Sequence, residues 1–224
     1  EALEVLAHRA NFTLTRRVPQ TDENKIKERI YEVNHLASEY YHYLLTKHNV
    51  GKNAREYVKT RGISDKSLVT FGIGYSPNIW DGLTTYLKKK GYDEKLLETA
   101  GLVIRGGRGV YDRFRGRLMF TLKDHRGQVV GFSGRLLDRD AKEAKYINTS
   151  ETPVYVKSRV LFGLDVTKDA IQKAQEAIVM EGELDVISSF QAGISNVVAI
   201  KGSAVTEEHA RLLKRFAERL VFAL

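Results

Sequence analysis

The sequence contains no cysteine and only two methionines and one tryptophan in 224 residues. Without cysteine there is no disulfide, no thiolate-held metal and no cysteine nucleophile, and the absence fits a cytoplasmic protein. No apolar run approaches the roughly 18 residues that span a bilayer, so no membrane segment is expected. No charged-then-apolar stretch of the secretory type opens the chain. The six histidines show no metal-ligand spacing: His35, His42 and His48 share no i, i+4 step, and they are read as structural or surface residues. Internal repeats and low-complexity tracts are also lacking.

What is present is a core-forming composition, 42% hydrophobic, enough for one or two domains. The net charge is +8, an electrostatic hint of a polyanionic partner. That charge is uneven. Residues 1–175 hold 31 Lys/Arg against 21 Asp/Glu, whereas residues 176–224 hold five against seven. Residues 105–159 alone carry 13 basic and six acidic side chains, interleaved with glycine and aromatics. Clustering of this kind favours nucleic acid or nucleoside triphosphates over a general solubility role.

A helix is expected after Pro19, with Thr21 or Asp22 as N-cap and an apolar stripe at Ile26, Ile30, Val33, Ala37, Tyr40 and Leu44. Tyr31, Tyr41 and Tyr43 lie off that stripe, free to stack on bases or to pack on a neighbouring helix. Shorter helices are expected at AREYVKTRG, SDKSLVTFG, WDGLTTYLKKKG and DEKLLETAG, each ending on glycine. The period then changes. Residues 111–137 read as a β-hairpin or meander around the turn DHRG, followed by a loop through KYINTSETPVY and a helix from FGLDVTKDAI. From Glu176 the rhythm is βαβαβ: AIVME, DVISSFQAG, NVVAIKG, TEEHARLLKRFAERL and LVFAL. Apolar strands alternating with helices predict a parallel sheet, and the fold class is α/β: an α+β N-terminal subdomain followed by a βαβαβ parallel sheet.

Ligands of open parallel sheets bind beyond the carboxyl ends of the strands. Glu181 falls at such an end and Asp185 one helical turn later, near a helix N-terminus that favours negative charge. Two readings stay open: a site for Mg²⁺, which takes oxygen ligands, or a capping aspartate beside a solvated glutamate. Gly202 and Ser203 follow the next strand and offer backbone N–H groups to a phosphate, or form a plain turn. In the basic segment, Arg113, Arg115 and Arg117 are spaced by two. On a strand they share one face, opposite Phe114 and Leu118, and repel one another unless a polyanion neutralises them. Arg135 ends GFSGR, Lys145 and Tyr146 stand in KYIN, and Lys157 stands in VKSR. Tyr146 offers a stacking surface.

EGELDVISSFQAGI followed by NVVAIKGSAVTEEHARLL resembles the Toprim fold of bacterial DnaG-type primases, type IA and type II topoisomerases and some nucleases. Upstream, FGIGYSPNIWDGL, YDRFRGRLMFTLKDHRGQVVGFSGRLL and KYINTSETPVYVKSRVLFGL resemble, in order and spacing, the RNA-polymerase core of the bacterial primases. The likeness runs from about Tyr40 to Leu224. It implies a catalytic glutamate, or metal ligand, at Glu181 and a supporting, metal-binding acid at Asp185, with Mg²⁺ or Mn²⁺. A further acid-x-acid pair is expected directly after Leu224. It also implies contacts to template, primer or incoming nucleotide from Arg61, Arg113, Arg115, Arg135, Lys145, Tyr146 and Lys157.

The organisation implied is residues 1–20 as the end of an upstream zinc-binding module and linker, 21–174 as the basic subdomain, and 175–224 as the start of a Toprim domain, truncated before its acid-x-acid motif. Zn²⁺ would belong to the upstream module alone. The activity implied is that of a DNA primase, a DNA-directed RNA polymerase type of nucleotidyltransferase. It would act as a monomer on single-stranded DNA template, RNA primer and ribonucleoside triphosphates. A replicative helicase would be met through a further C-terminal domain. The alternatives are a Toprim nuclease or topoisomerase fragment, or a non-catalytic single-strand-binding fragment. One departure is marked. The family has an aromatic and then Met between the acids, where this chain has Glu183 and Leu184. A carboxylate there is expected either to disturb a metal site or to face solvent.

Overall fold

A computed structural model describes residues 21–107, 109–138, 140–201 and 205–223. The readings made for residues 1–20 and for Gly202, Ser203 and Leu224 therefore lie outside the described residues. Helix α1 (Asp22–Thr46) begins at Thr21, whose hydroxyl accepts a hydrogen bond from the Asn24 N–H at 3.3 Å, with Asp22 and Glu23 in the first turn. Its stripe buries Ile30, Val33, Ala37 and Leu44, while Ile26 stays exposed. Tyr41, off the expected stripe, is fully buried and meets Phe132 edge-on. The stripe is wider than the spacing suggests because α1 lies on a sheet, which accepts a broader face than a single helix does.

Four short helices follow, α2 (Lys52–Thr60), α3 (Asp65–Thr70), α4 (Gly82–Lys89) and α5 (Glu94–Thr99). Gly62, at φ +68°, turns the chain between α2 and α3. Between and after these helices run β1 (Ile73–Ser76), β2 (Val103–Gly106) and β3 (Gly109–Asp112), four-residue strands that the sequence reading did not foresee. They are too short to display alternation, and β1 exists because of a neighbour. At Gly74 a Cβ would stand 2.6 Å from the Tyr41 backbone, so only glycine lets α1 lie on this strand.

The hairpin reading holds for β4 (Arg117–Lys123) and β5 (Val129–Leu136), which pair antiparallel. With β1 and β6 (Tyr146–Asn148) they form an antiparallel sheet of order β1-β4-β5-β6; β2 and β3 pair separately. Thus part of the expected loop KYINTSETPVY is an edge strand. The three-arginine face does not form. β3 ends at Asp112, Gly116 turns at φ +63°, and only Arg117 belongs to a strand, where it is buried.

After α6 (Leu164–Ala174) come β7 (Glu176–Met180), α7 (Glu183–Gln191), β8 (Val197–Ala199), α8 (Glu207–Leu213) and β9 (Arg219–Ala223). The order is β8-β7-β9 and both pairings are parallel, the βαβαβ arrangement the rhythm predicted. One apolar cluster runs from Leu118, Phe120 and Val130 of the antiparallel sheet through Phe162 to Val186, Ile187 and Val197, so the two sheets share a core. Among the described residues no helix is long and apolar enough to cross a membrane.

Candidate active site and nucleic-acid interface

β7 is the central strand of the parallel sheet, and Glu181 follows its last residue. Gly182 is extended there. A Cβ on it would lie 2.7 Å from the Asp185 carboxylate, so glycine leaves room for Asp185 to fold back over the helix start. Glu181 and Asp185 are both exposed, and neither has a cationic partner among the described residues.

Glu183, between them, is the opposite case. It is 4% exposed and paired with the ammonium of Lys201, itself buried, which lies 3.4 Å from the Ser133 hydroxyl on β5. Burial pushes the Glu183 carboxyl up, but the Lys201 charge and hydrogen bonds from Lys201 and Ser133 outweigh it and hold it below the usual carboxylate range. So Glu183 neither faces solvent nor joins the exposed acids. The departure from an aromatic is absorbed by an internal ion pair.

The other end of α7 reaches the basic subdomain. The Gln191 side-chain amide donates to the Gly62 carbonyl at 2.8 Å, and its oxygen accepts from the Ser64 N–H at 2.9 Å. One helix therefore starts at the acids and ends on the turn that follows Arg61. That turn borders a cleft of about 360 Å³ lined by Tyr57, Arg61, Arg135, Lys145 and Glu143, among others. Arg61 donates to the Tyr57 hydroxyl at 3.0 Å. The Arg135 guanidinium lies 5.6 Å from the Tyr57 ring and 5.3 Å from the Tyr146 ring, and donates to the Tyr146 hydroxyl. Burial raises the Tyr146 hydroxyl pKa against the lowering effect of Arg135. The structure thus joins Arg61, Arg135, Lys145 and Tyr146 in one place.

Arg113 and Arg115 stand apart from the cleft. Arg113 is half-buried, which depresses its pKa, and it donates from Nε and one terminal nitrogen to the Asn148 carbonyl at 3.1 and 3.0 Å. Arg115 lies 5.1 Å from the Trp80 ring and 5.0 Å from Tyr111, and those two rings stack at 4.6 Å. Trp80 is 58% exposed. The sequence reading missed this platform; its signal was the single tryptophan, in SPNIWDGL, a poor candidate for the core beside so many polar neighbours. Lys157 sits on a separate 3-10 turn, Lys157–Arg159.

None of Arg61, Arg113, Arg115, Arg135, Lys145 and Lys157 has a carboxylate partner among the described residues, whereas Arg117 pairs with Glu143, Lys123 with Asp165 and Arg159 with Glu208. Polyanion-binding cations need that freedom.

As for a metal, the described residues contain no group of three or more His, Asp or Glu side chains able to hold an ion. Glu181 and Asp185 are hard oxygen donors free of cations. They suit part of the shell of a hydrated Mg²⁺ or Mn²⁺.

The family described as DNA primase catalytic core, N-terminal domain, matches residues 40–168, and a Toprim-like family matches residues 178–224. A DNA primase of Listeria monocytogenes is 43% identical over 194 residues, covering 86% of this chain and 31% of its own length. The chain spans about a third of the length of the curated relatives it matches. The RNA polymerase domain of Mycobacterium tuberculosis primase DnaG has the same fold, with TM-score 0.81 and 38% identity over 87% of this chain and 66% of that one. A DnaG primase catalytic domain solved bound to single-stranded DNA gives TM-score 0.80 and 33% identity, covering 88% of this chain and 61% of that one. With the primase-core match spanning more than half of the residues and the fold agreeing, the chain belongs to the DNA primase catalytic core family.

Proposed function

We propose that this chain is the primer-synthesising part of a DNA primase, a DNA-templated RNA polymerase acting on single-stranded DNA with ribonucleoside triphosphates. The supporting observation is α7: it carries Asp185 at one end, next to Glu181, and is hydrogen-bonded at the other to the turn that follows Arg61. α7 thereby ties the carboxylate edge to the turn beside the unpaired arginine cleft. Glu181 and Asp185 would hold Mg²⁺ or Mn²⁺, with Glu181 also placed to accept the proton of the attacking 3′-hydroxyl. Such an ion, when bound, lowers the pKa of that hydroxyl and offsets charge on the leaving pyrophosphate.

Arg61, Arg135 and Lys145 would grip the triphosphate, and Tyr146 would stack on the base or ribose. Arg113, Arg115 and Lys157 would contact the template backbone, and Trp80 would stack a template base. A similar DnaG primase catalytic domain solved bound to single-stranded DNA supports single-strand binding by this chain. We place the subdomain division at residues 174/175, with residues 1–20 outside the basic subdomain. We further infer a cytoplasmic monomer whose helicase contacts lie elsewhere in the whole protein, as does any zinc module.

The test is primer synthesis by the full-length protein on single-stranded template with labelled ribonucleotides and Mg²⁺. Templated incorporation that is lost in Glu181→Gln, with DNA binding retained, supports the reading. Strand cleavage without incorporation would point to a Toprim nuclease, and binding without any chemistry to a binding fragment.

A further inference from the structure

We propose that Glu183 and Lys201 are positioning residues that hold the exposed acids in register with the arginine cleft, a role that rests on the reading above. Three carboxylates, Glu181, Glu183 and Asp185, fall within five residues. Lys201 neutralises the middle one inside the protein, leaving only the outer two to present negative charge to a ligand. Both partners are about 95% buried. A pair this deep persists only while both members meet, since either alone would be a stranded internal charge. It therefore tolerates little sliding.

The pair also has a third contact. Lys201 reaches Ser133 on β5, and Ser133 is two residues from Arg135 on the same strand, which places the two side chains on one face. Glu183 begins α7, and Lys201 follows β8. The contacts of Lys201 with Glu183, in the same first helical turn as Asp185, and with Ser133, on the same strand as Arg135, thus cross from the parallel sheet to the antiparallel one. The Glu183 charge is also felt at the Tyr146 hydroxyl, which it pushes up alongside the larger effect of burial. This chain thus uses an internal ion pair to link its acid edge with its cation cleft.

The experiment measures how much Mg²⁺ improves binding of a ribonucleoside triphosphate to the full-length protein by calorimetry, together with the melting temperature. A triphosphate bridging acids and arginines binds more tightly with Mg²⁺ only if both halves are in register. Lys201→Met should lower the melting temperature sharply, because it strands the buried carboxylate. The double variant Glu183→Leu/Lys201→Met removes both charges and should regain the melting temperature. It should nonetheless lose roughly tenfold or more of the Mg²⁺-dependent gain, with Mg²⁺-free binding unchanged. Ser133→Ala, a small change that keeps the fold, should lose a lesser part of that gain.

A double variant with wild-type melting temperature and a wild-type gain overturns the proposal, as does a wild-type protein with no gain at all. If the double variant fails to fold, an undiminished gain in Ser133→Ala overturns it equally. A wild-type protein that shows the gain but incorporates no ribonucleotide refutes the primase reading alone.

Discussion

The edge of the parallel sheet and the surface of the antiparallel sheet carry opposite charges but sort them by the same rule. At the acid edge, Glu183 is buried and paired with Lys201, while Glu181 and Asp185 on either side of it are exposed and bare. In the basic subdomain, Arg117 is buried and paired with Glu143, while Arg115 and Arg135 remain without a carboxylate and rest on aromatic rings. Burial forces a charge to find a partner, because desolvation would otherwise outweigh everything it gains. In these two groups the charges left without an ion partner are at least partly exposed, with capacity for a ligand; Asp112, buried without a cation, is held instead by the Leu83 and Thr84 N–H groups and the Thr84 hydroxyl. What differs is support. The free cations are held over Tyr57, Tyr146, Trp80 and Tyr111, whereas the free carboxylates are held by backbone alone, at a strand end and in the first turn of a helix.

That contrast can be broken from either side. The largest effect is expected at the acid edge: Asp185→Asn should lower kcat for primer synthesis roughly 10²- to 10⁴-fold. Single-strand affinity, measured by fluorescence anisotropy, should change less than about twofold. Next comes the buried cation. Arg117→Met should cost about 2–3 kcal/mol of unfolding free energy in urea titrations, because the Gly134 and Ala144 carbonyls lose a donor. Arg115→Met, by comparison, should stay within about 0.5 kcal/mol.

A smaller effect is expected at the platform. Trp80→Ala should weaken single-stranded DNA binding by about 1–3 kcal/mol with no change in the salt dependence, since stacking releases no counterions. Arg115→Met should instead reduce the slope of log affinity against log salt by about 0.7.

The smallest involves His209, whose Nδ1 accepts from the Thr206 N–H while Nε2 meets the Lys157 carbonyl. Burial depresses its pKa below the ordinary 6.5, so the folded state holds the neutral ring. Its contribution is complete above pH 6.5 and declines as pH falls through the lower folded value. Stability curves of wild type and His209→Gln should converge as the solution is acidified from pH 6.5 down to that folded value. Curves that stay parallel would contradict it.

Much of the fold was legible from local pattern. The α1 stripe, the glycine-punctuated short helices, the β4–β5 hairpin and the βαβαβ rhythm all follow from periodicities that neighbours in sequence impose. β1 and the β2–β3 ribbon were not legible, because four residues are too few to show a period and their pairing depends on distant partners such as Met119 opposite Gly74. The equal spacing of Arg113, Arg115 and Arg117 misled for a related reason: spacing gives a shared face only if the strand is continuous, and Gly116 interrupts it.

By itself the sequence determined where charge accumulates: acids at the end of one apolar strand, and cations through a glycine- and aromatic-rich middle. Only the tertiary structure decided which of those charges are available. Lys201 is no more suspicious in sequence than Lys145, yet one is buried against Glu183 and the other lines an open cleft. Likewise Gln191 meets Gly62 across most of the chain, bringing the helix of Asp185 to the turn after Arg61. Periodicity acts over a few residues, whereas burial and pairing depend on contacts between residues far apart in the chain, and a charge becomes structural or functional according to what those contacts bring to it.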